Sequence, residues 1–190
     1  MWSIMLHSNT NGTLMKLPAT FLLLLSAASA HAHEVRQQGA HVHGQATVDV
    51  ALERGTLDLA MQAPGIGLLD FERPPATPQE RAALARAKAL LKEGAWVTLP
   101  TAAQCRLAAS SVAADGFAAD PMRDAGHHGH AGFSAGLRFQ CAHPSALRVL
   151  VVRLPVLFPG LHEVIVNSTT PAGQARHVLT AETLRVVLAP

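Results

Sequence analysis

Alternating apolar and polar residues predict a β-hairpin near the start of the chain. Ala46, Val48, Val50 and Leu52 alternate with polar or small residues over Val42–Leu52, and Leu57, Leu59 and Met61 do so over Thr56–Ala63. A period of two places one set of side chains on a buried face and the other in water. The turn Glu53-Arg54-Gly55 joins the two strands, because glycine accepts the positive φ of a tight hairpin.

A single amphipathic helix follows the hairpin. Thr77 and Glu80 form the T-x-x-E pattern of a capping box, and Pro78 suits the first helical position. One face is apolar, the other faces are largely basic, and Gly94 suits the C-terminal cap. The apolar residues are Leu84, Ala87, Leu90 and Leu91.

The rest of the chain predicts strands joined by short turns. Ala103–Ala113 and Phe133–Ala142 are expected to pair antiparallel, and Pro171–Gln174 is the turn of a last hairpin. The other strands are Arg148–Leu154, Glu163–Ser168 and Ala175–Thr180. Two strands, one helix and then further strands with short links predict an α+β fold, a mostly antiparallel sheet with one covering amphipathic helix and one disulfide.

Residues 1–32 have the features of a secretory signal peptide. Met15-Lys16 supplies a start and a positive charge, Leu17–Leu25 is a short apolar core, and two A-x-A sites end at Ala30 and Ala32. The apolar run is about half of the roughly 20 residues that a membrane span needs. We expect Met15 to be the true start, residues 1–32 to be removed, and residues 33–190 to form one exported domain.

The two cysteines, Cys105 and Cys141, allow two interpretations, a disulfide or a thiolate metal site. In an oxidising compartment an even pair favours one disulfide. The alternative is a thiolate metal site, but the chain lacks the C-x-x-C spacing of structural zinc sites.

Composition argues against two classes of function. The formal net charge is +2, without a basic stripe, and there is no tyrosine to stack on bases, so nucleic acid is not an expected partner. The chain also lacks the H-E-x-x-H and G-x-S-x-G motifs and a Cys–His nucleophile arrangement, so an enzyme is not expected.

Two groups of histidines supply the candidate chemistry. His41 and His43 lie in Gly39-Ala40-His41-Val42-His43-Gly44, where a strand would point both imidazoles to one side. His127, His128 and His130 lie in a glycine-rich stretch between the two cysteines. Imidazoles in this number suit zinc, with Asp124 or Glu34 as a possible carboxylate ligand. The alternative is that these are polar surface histidines.

Three other histidines are assigned structural positions. His143 precedes Pro144 and is read as a turn residue, whereas His162 and His177 are read as ordinary strand residues.

Copper or nickel is the competing metal. Cleavage after Ala30 would leave His31-Ala32-His33 at the mature N-terminus, which suits square-planar Cu(II) or Ni(II), and cleavage after Ala32 would still leave His33 first. A third alternative is a disulfide-stabilised interaction domain without a metal.

The order of these features resembles the family of bacterial periplasmic zinc-binding proteins typified by ZrgA. The resemblance rests on the export signal, the Gly-Ala-His-Val-His-Gly segment, the T-P-x-E helix start, the cysteines around a His-rich loop, and the turn Phe158-Pro159-Gly160. It covers roughly residues 33 to 185.

The resemblance implies a periplasmic zinc-binding protein that assists zinc uptake beside an ABC-type transporter. His41 and His43 match the family's N-terminal pair, and His127, His128 and His130 match its His-rich loop. Two departures weaken an expectation of high-capacity zinc buffering. Gln37 and Gln38 stand where family members often have histidine, and the stretch Asp124–His130 is shorter than the usual loop.

Overall fold

The structure is a computed structural model, and it describes residues 43–118 and 131–188. Its main element is a six-stranded sheet that is antiparallel except at one pair. In spatial order the strands are β4 (Cys105–Asp115), β5 (Gly132–Cys141), β2 (Thr56–Pro64), β1 (Gln45–Glu53), β7 (Glu163–Thr170) and β8 (Gly173–Leu179).

A smaller sheet and three helices complete the described fold. The small sheet has the order β3 (Val97–Thr98), β6 (Val149–Val152) and β9 (Arg185–Val187). The helices are α1 (Gly65–Leu68), α2 (Pro78–Lys92) and α3 (Leu154–Leu157). The predicted α+β class with an antiparallel sheet and one amphipathic helix is therefore confirmed, with two one-turn helices and a second sheet in addition.

The predicted hairpins are present. β1 pairs with β2, β4 with β5, and β7 with β8, all antiparallel. Arg54 and Gly55 have φ of 48° and 85°, so both central residues of the first turn are left-handed, which matches the right-handed twist of the strands. Cys105 and Cys141 are register partners on β4 and β5 and form the disulfide, which settles their role.

One face of the large sheet forms the core. Val48, Leu59, Leu137 and Val166 are buried there, and α2 covers this face through Leu91. The opposite face is polar and exposed, with cross-strand contacts such as the Arg138–Asp58 ion pair. All of the described residues belong to one compact unit, Gln38–Pro190.

Both ends of α2 are fixed by local hydrogen bonds. At its C-terminus, Gly94 (φ +72°) donates to the Leu91 carbonyl and Ala95 donates to the Leu90 carbonyl, which is the Schellman pattern. The buried Trp96 donates its indole N–H to the same Leu91 carbonyl at 3.1 Å. The carbonyls of Leu90 and Leu91 near the end of the helix thus have partners within the protein.

The N-terminus of α2 carries the predicted capping box and an ion pair. Thr77 Oγ1 accepts from the Glu80 amide at 3.1 Å, and the Glu80 carboxylate accepts from the Thr77 amide at 3.2 Å. Arg73 binds that carboxylate with two N–H groups, at 2.7 and 2.9 Å, and the Ala76 amide also donates to it. The Arg73 bonds, followed by the Ala76 amide, lower the pKa of Glu80 to about 2.

This geometry predicts that the stability of the fold depends on pH in the acid range through the ionisation of Glu80. Its folded pKa lies below its ordinary value of 4.5, so the stabilisation is complete above pH 4.5 and is lost as pH falls towards about 2. In Glu80→Gln, the amide can still cap the helix but cannot pair with Arg73 as an anion. We expect the free energy of unfolding of the variant, measured by urea titration, to lose the part of its pH dependence that lies between pH 4.5 and about 2.

Glu93→Gln is the matched control, because it removes a carboxylate at the other end of the same helix. If Glu80→Gln followed the wild-type pH profile throughout this range, the ion pair would have no influence on stability.

Candidate metal site

Six strand termini meet at one end of the large sheet. β1 and β7 both begin there, since they are parallel partners, while β2, β4 and β8 end there and β5 begins there. The register confirms the alignment, in the pairs Gln45↔Glu163, Pro64↔Gly132, Asp115↔Gly132 and Val164↔Leu179. We call this the histidine end, because His43 and the stretch that contains His127, His128 and His130 both join the sheet here.

His43 lies in a turn and not in a strand. β1 begins at Gln45, and Gly44 has a φ of +76°. The strand alternation expected for Val42–Leu52 therefore begins only after Gly44 and does not include His43. The His43 side chain is exposed. The argument that strand pleating aligns His41 with His43 therefore does not hold at this position.

Gly44 is held by the neighbouring strand. Its carbonyl accepts from the amides of His162 and Glu163, at 2.8 and 3.1 Å. A Cβ at Gly44 would come within 2.8 Å of His162 Cδ2 and 3.4 Å of the Gly160 carbonyl oxygen. Glycine is thus required twice, for the positive φ and for the close approach of an imidazole.

Two carboxylates, those of Glu163 and Glu182, lie beside His162 at the histidine end. Glu163 Oε1 accepts from Gln45 Nε2 at 2.6 Å, across the first pair of the parallel ladder. Glu182 and His162 line the same shallow depression of about 390 Å³. The described residues of the histidine end therefore offer only nitrogen and oxygen donors.

The described residues that flank the 119–130 stretch on both sides are well packed. Phe117 is buried, and its ring lies 5.9 Å from that of Phe71 and 5.0 Å from that of Phe133. Ala131 is buried and its carbonyl accepts from the Gly65 amide at 2.7 Å. The described residues on either side of the 119–130 stretch are consequently held in place at the histidine end.

Of the predicted metal ligands, only His43 lies in the described part of the chain. The others, with the possible carboxylates Glu34 and Asp124, lie outside it, and their assignment stays a prediction. They are His33, His41, His127, His128 and His130. Within residues 43–118 and 131–188, no group of three or more His, Cys, Asp or Glu side chains could hold a metal ion.

The other histidines differ in their surroundings. His143 directly precedes the 3₁₀ turn Pro144–Ala146, as expected of a turn residue. His177 lies within β8, and its Nε2 is 3.1 Å from the Val187 carbonyl oxygen, which ties β8 to β9. His162 differs from the prediction, because it precedes β7 and lies against Gly44 at the histidine end.

The thiolate alternative is excluded, since both cysteines of the chain are in the disulfide. The described side chains of the histidine end offer imidazole and carboxylate groups, which are common ligands of zinc.

Comparison with known protein families shows which family the chain belongs to. The model of the ZrgA family zinc uptake proteins matches residues 40–188, from the H-V-H-G segment to the last described residue. The chain belongs to the ZrgA family. No curated protein sequence matches it significantly. Among the described residues, no helix has the length and apolar character needed to cross a membrane.

The contact between Gly44 and His162 predicts a specific stability defect. Gly44→Ala places a residue with a Cβ at φ +76°, which is unfavourable by about 1–2 kcal/mol, and adds a clash with the imidazole. We expect a decrease in the free energy of unfolding of at least that size, measured by urea titration with a chelator present.

The double variant Gly44→Ala/His162→Ala separates the two effects. It should recover the part due to the clash but not the part due to φ. A Gly44→Ala variant as stable as the wild type would contradict the geometry described for this turn.

Proposed function

We propose that this protein is an exported zinc-binding protein that serves zinc uptake. Residues 1–32 act as a signal peptide, and residues 33–190 form the zinc-binding domain in the periplasm. The ion is bound by His41 and His43 together with a histidine of the stretch before Ala131, for which His127, His128 and His130 are the candidates. His33 is a further candidate donor.

The observation that carries the proposal is the shared position of the two chain segments. Both are attached to the histidine end, and only β2 lies between β5 and β1 in the sheet. Adjacent strands are about 4.8 Å apart, so Ala131 and the start of β1 are separated by roughly 10 Å. A chain covers up to about 3.5 Å per residue, so the three steps from Ala131 back to His128 are long enough to cross that distance.

The donor chemistry also supports zinc. The described residues at this end supply imidazoles and carboxylates, and the cysteines are in a disulfide at the opposite end of β4 and β5. Zinc takes such nitrogen and oxygen ligands in tetrahedral sites. Membership of a zinc uptake family supports the same metal.

The role that follows is binding and delivery of zinc, not catalysis. The protein holds the ion outside the inner membrane and hands it to an uptake system, for which an ABC-type transporter is the proposed partner. Family membership supports this accessory role.

Removal of the N-terminal pair tests the proposal. We expect the chelator-treated protein to bind Zn(II) tightly by isothermal titration, and His41→Ala/His43→Ala to weaken the binding at least a hundredfold. Loss of one hydrogen-bonded partner behind a ligand already weakens metal binding by about 10–100-fold, so loss of two ligands should have a larger effect.

His143→Ala is the matched control, because His143 is exposed and lies beyond the opposite end of β5. Unchanged zinc affinity in the double variant would overturn the assignment. Retained binding of Cu(II) or Ni(II) alone would point to the N-terminal His33 segment, and absence of any metal binding would leave a disulfide-stabilised interaction domain.

A further inference from the structure

His162 is the described histidine that lies nearest to the H-x-H segment in the fold. It stands directly before β7, and the parallel register Gln45↔Glu163 places it opposite Gly44, the neighbour of His43. The hydrogen bond from the His162 amide to the Gly44 carbonyl, 2.8 Å long, fixes this relationship. Because the contact depends on a parallel strand pair, it has no local sequence signal.

The expected separation of His43 and His162 suits two ligands of one ion. Neighbouring strands are about 4.8 Å apart, and consecutive Cα atoms along a chain are about 3.8 Å apart. Because Gly44 lies opposite His162 and His43 is the residue before Gly44, the Cα atoms of His43 and His162 are at most roughly 8.6 Å apart. Two imidazoles at this distance can converge on one metal.

The His162 ring is also free to bind. Its side chain is exposed, and no described residue forms a hydrogen bond with its ring nitrogens. His177 is the contrast, since its Nε2 lies 3.1 Å from a backbone carbonyl oxygen. The ring of His162 instead rests with Cδ2 against Gly44 and lines the depression that Glu182 shares.

Gly44 makes this placement possible. Any larger residue would meet the His162 ring at 2.8 Å and push it away from the chain that carries His43. The close approach thus keeps an exposed imidazole next to the H-x-H segment on a fixed strand terminus.

We propose that His162 is a further ligand of the zinc ion bound by His41 and His43. This inference rests on the proposed function and deepens it, because it adds a ligand from a third part of the chain. Three imidazoles leave at least one position of a tetrahedral site for another donor. The hydrogen bond from its amide to the Gly44 carbonyl holds His162 directly before β7.

The experiment compares two substitutions of His162 in the chelator-treated protein. We expect His162→Ala and His162→Gln each to weaken Zn(II) binding by about tenfold or more in isothermal titration. Glutamine keeps the size and hydrogen-bonding capacity of the side chain but is a poor zinc ligand. X-ray absorption of the zinc-loaded protein should show one imidazole fewer in both variants.

The control is again His143→Ala, which should match the wild type in both measurements. If the His41→Ala/His43→Ala variant loses zinc while both His162 variants match His143→Ala, His162 is not a ligand and the proposed function stands. If only His162→Ala is weakened and His162→Gln is normal, the side chain acts by packing and the inference is wrong. If the wild type itself binds no zinc, the proposed function fails and this inference fails with it.

Discussion

The parallel pairing of β1 with β7 is the constraint on which the rest of the fold depends. It joins the first described strand to one that follows more than a hundred residues later, with seven register pairs from Gln45↔Glu163 to Ala51↔Thr169. A parallel pair cannot close through a tight turn, so the intervening chain must cross over the sheet. That crossover contains α2, β3, β6 and α3, and it supplies core residues such as Leu91, Val152 and Leu154.

The same pairing adds the start of β7, and with it His162, to the candidate site. The start of β1, the end of β4 and the start of β5 share that end of the sheet because β1 pairs antiparallel with β2, β2 with β5 and β5 with β4. The 119–130 stretch and the segment before β1 are therefore attached near each other. Buried Phe117 and Ala131, together with the close approach at Gly44, hold these attachment points in place.

Local patterns predicted much of the fold. The period-two strands, the Arg54-Gly55 turn and the capping box of Thr77 and Glu80 each depend on residues close in sequence, and each is present. The disulfide was expected from the even number of cysteines in an exported chain, and it joins register partners of β4 and β5. In these cases, the interactions that decide the structure lie within a hairpin or a helix turn.

Non-local interactions account for what the pattern did not predict. Val97–Thr98 and Arg185–Val187 are too short to show a period, and they are strands only because β6 lies between them. The apolar run Val164-Ile165-Val166 is typical of an interior strand, but nothing local names β1 as its parallel partner. For that reason His162 had no visible connection to His43. The positive φ of Gly44 similarly interrupts an alternation that looks continuous in the sequence.

The histidine end carries His43 and His162, which come from separate parts of the chain, beside the attachment points of the 119–130 stretch. Crystallographic data collected on the zinc-loaded protein at the zinc absorption edge test the proposed zinc site most directly. The proposed site predicts an anomalous peak at the histidine end, about 2.0–2.1 Å from a ring nitrogen of His43 and bonded to a histidine of the 119–130 stretch. A peak elsewhere on the molecule, or a zinc ion at this end that neither segment contacts, would contradict it.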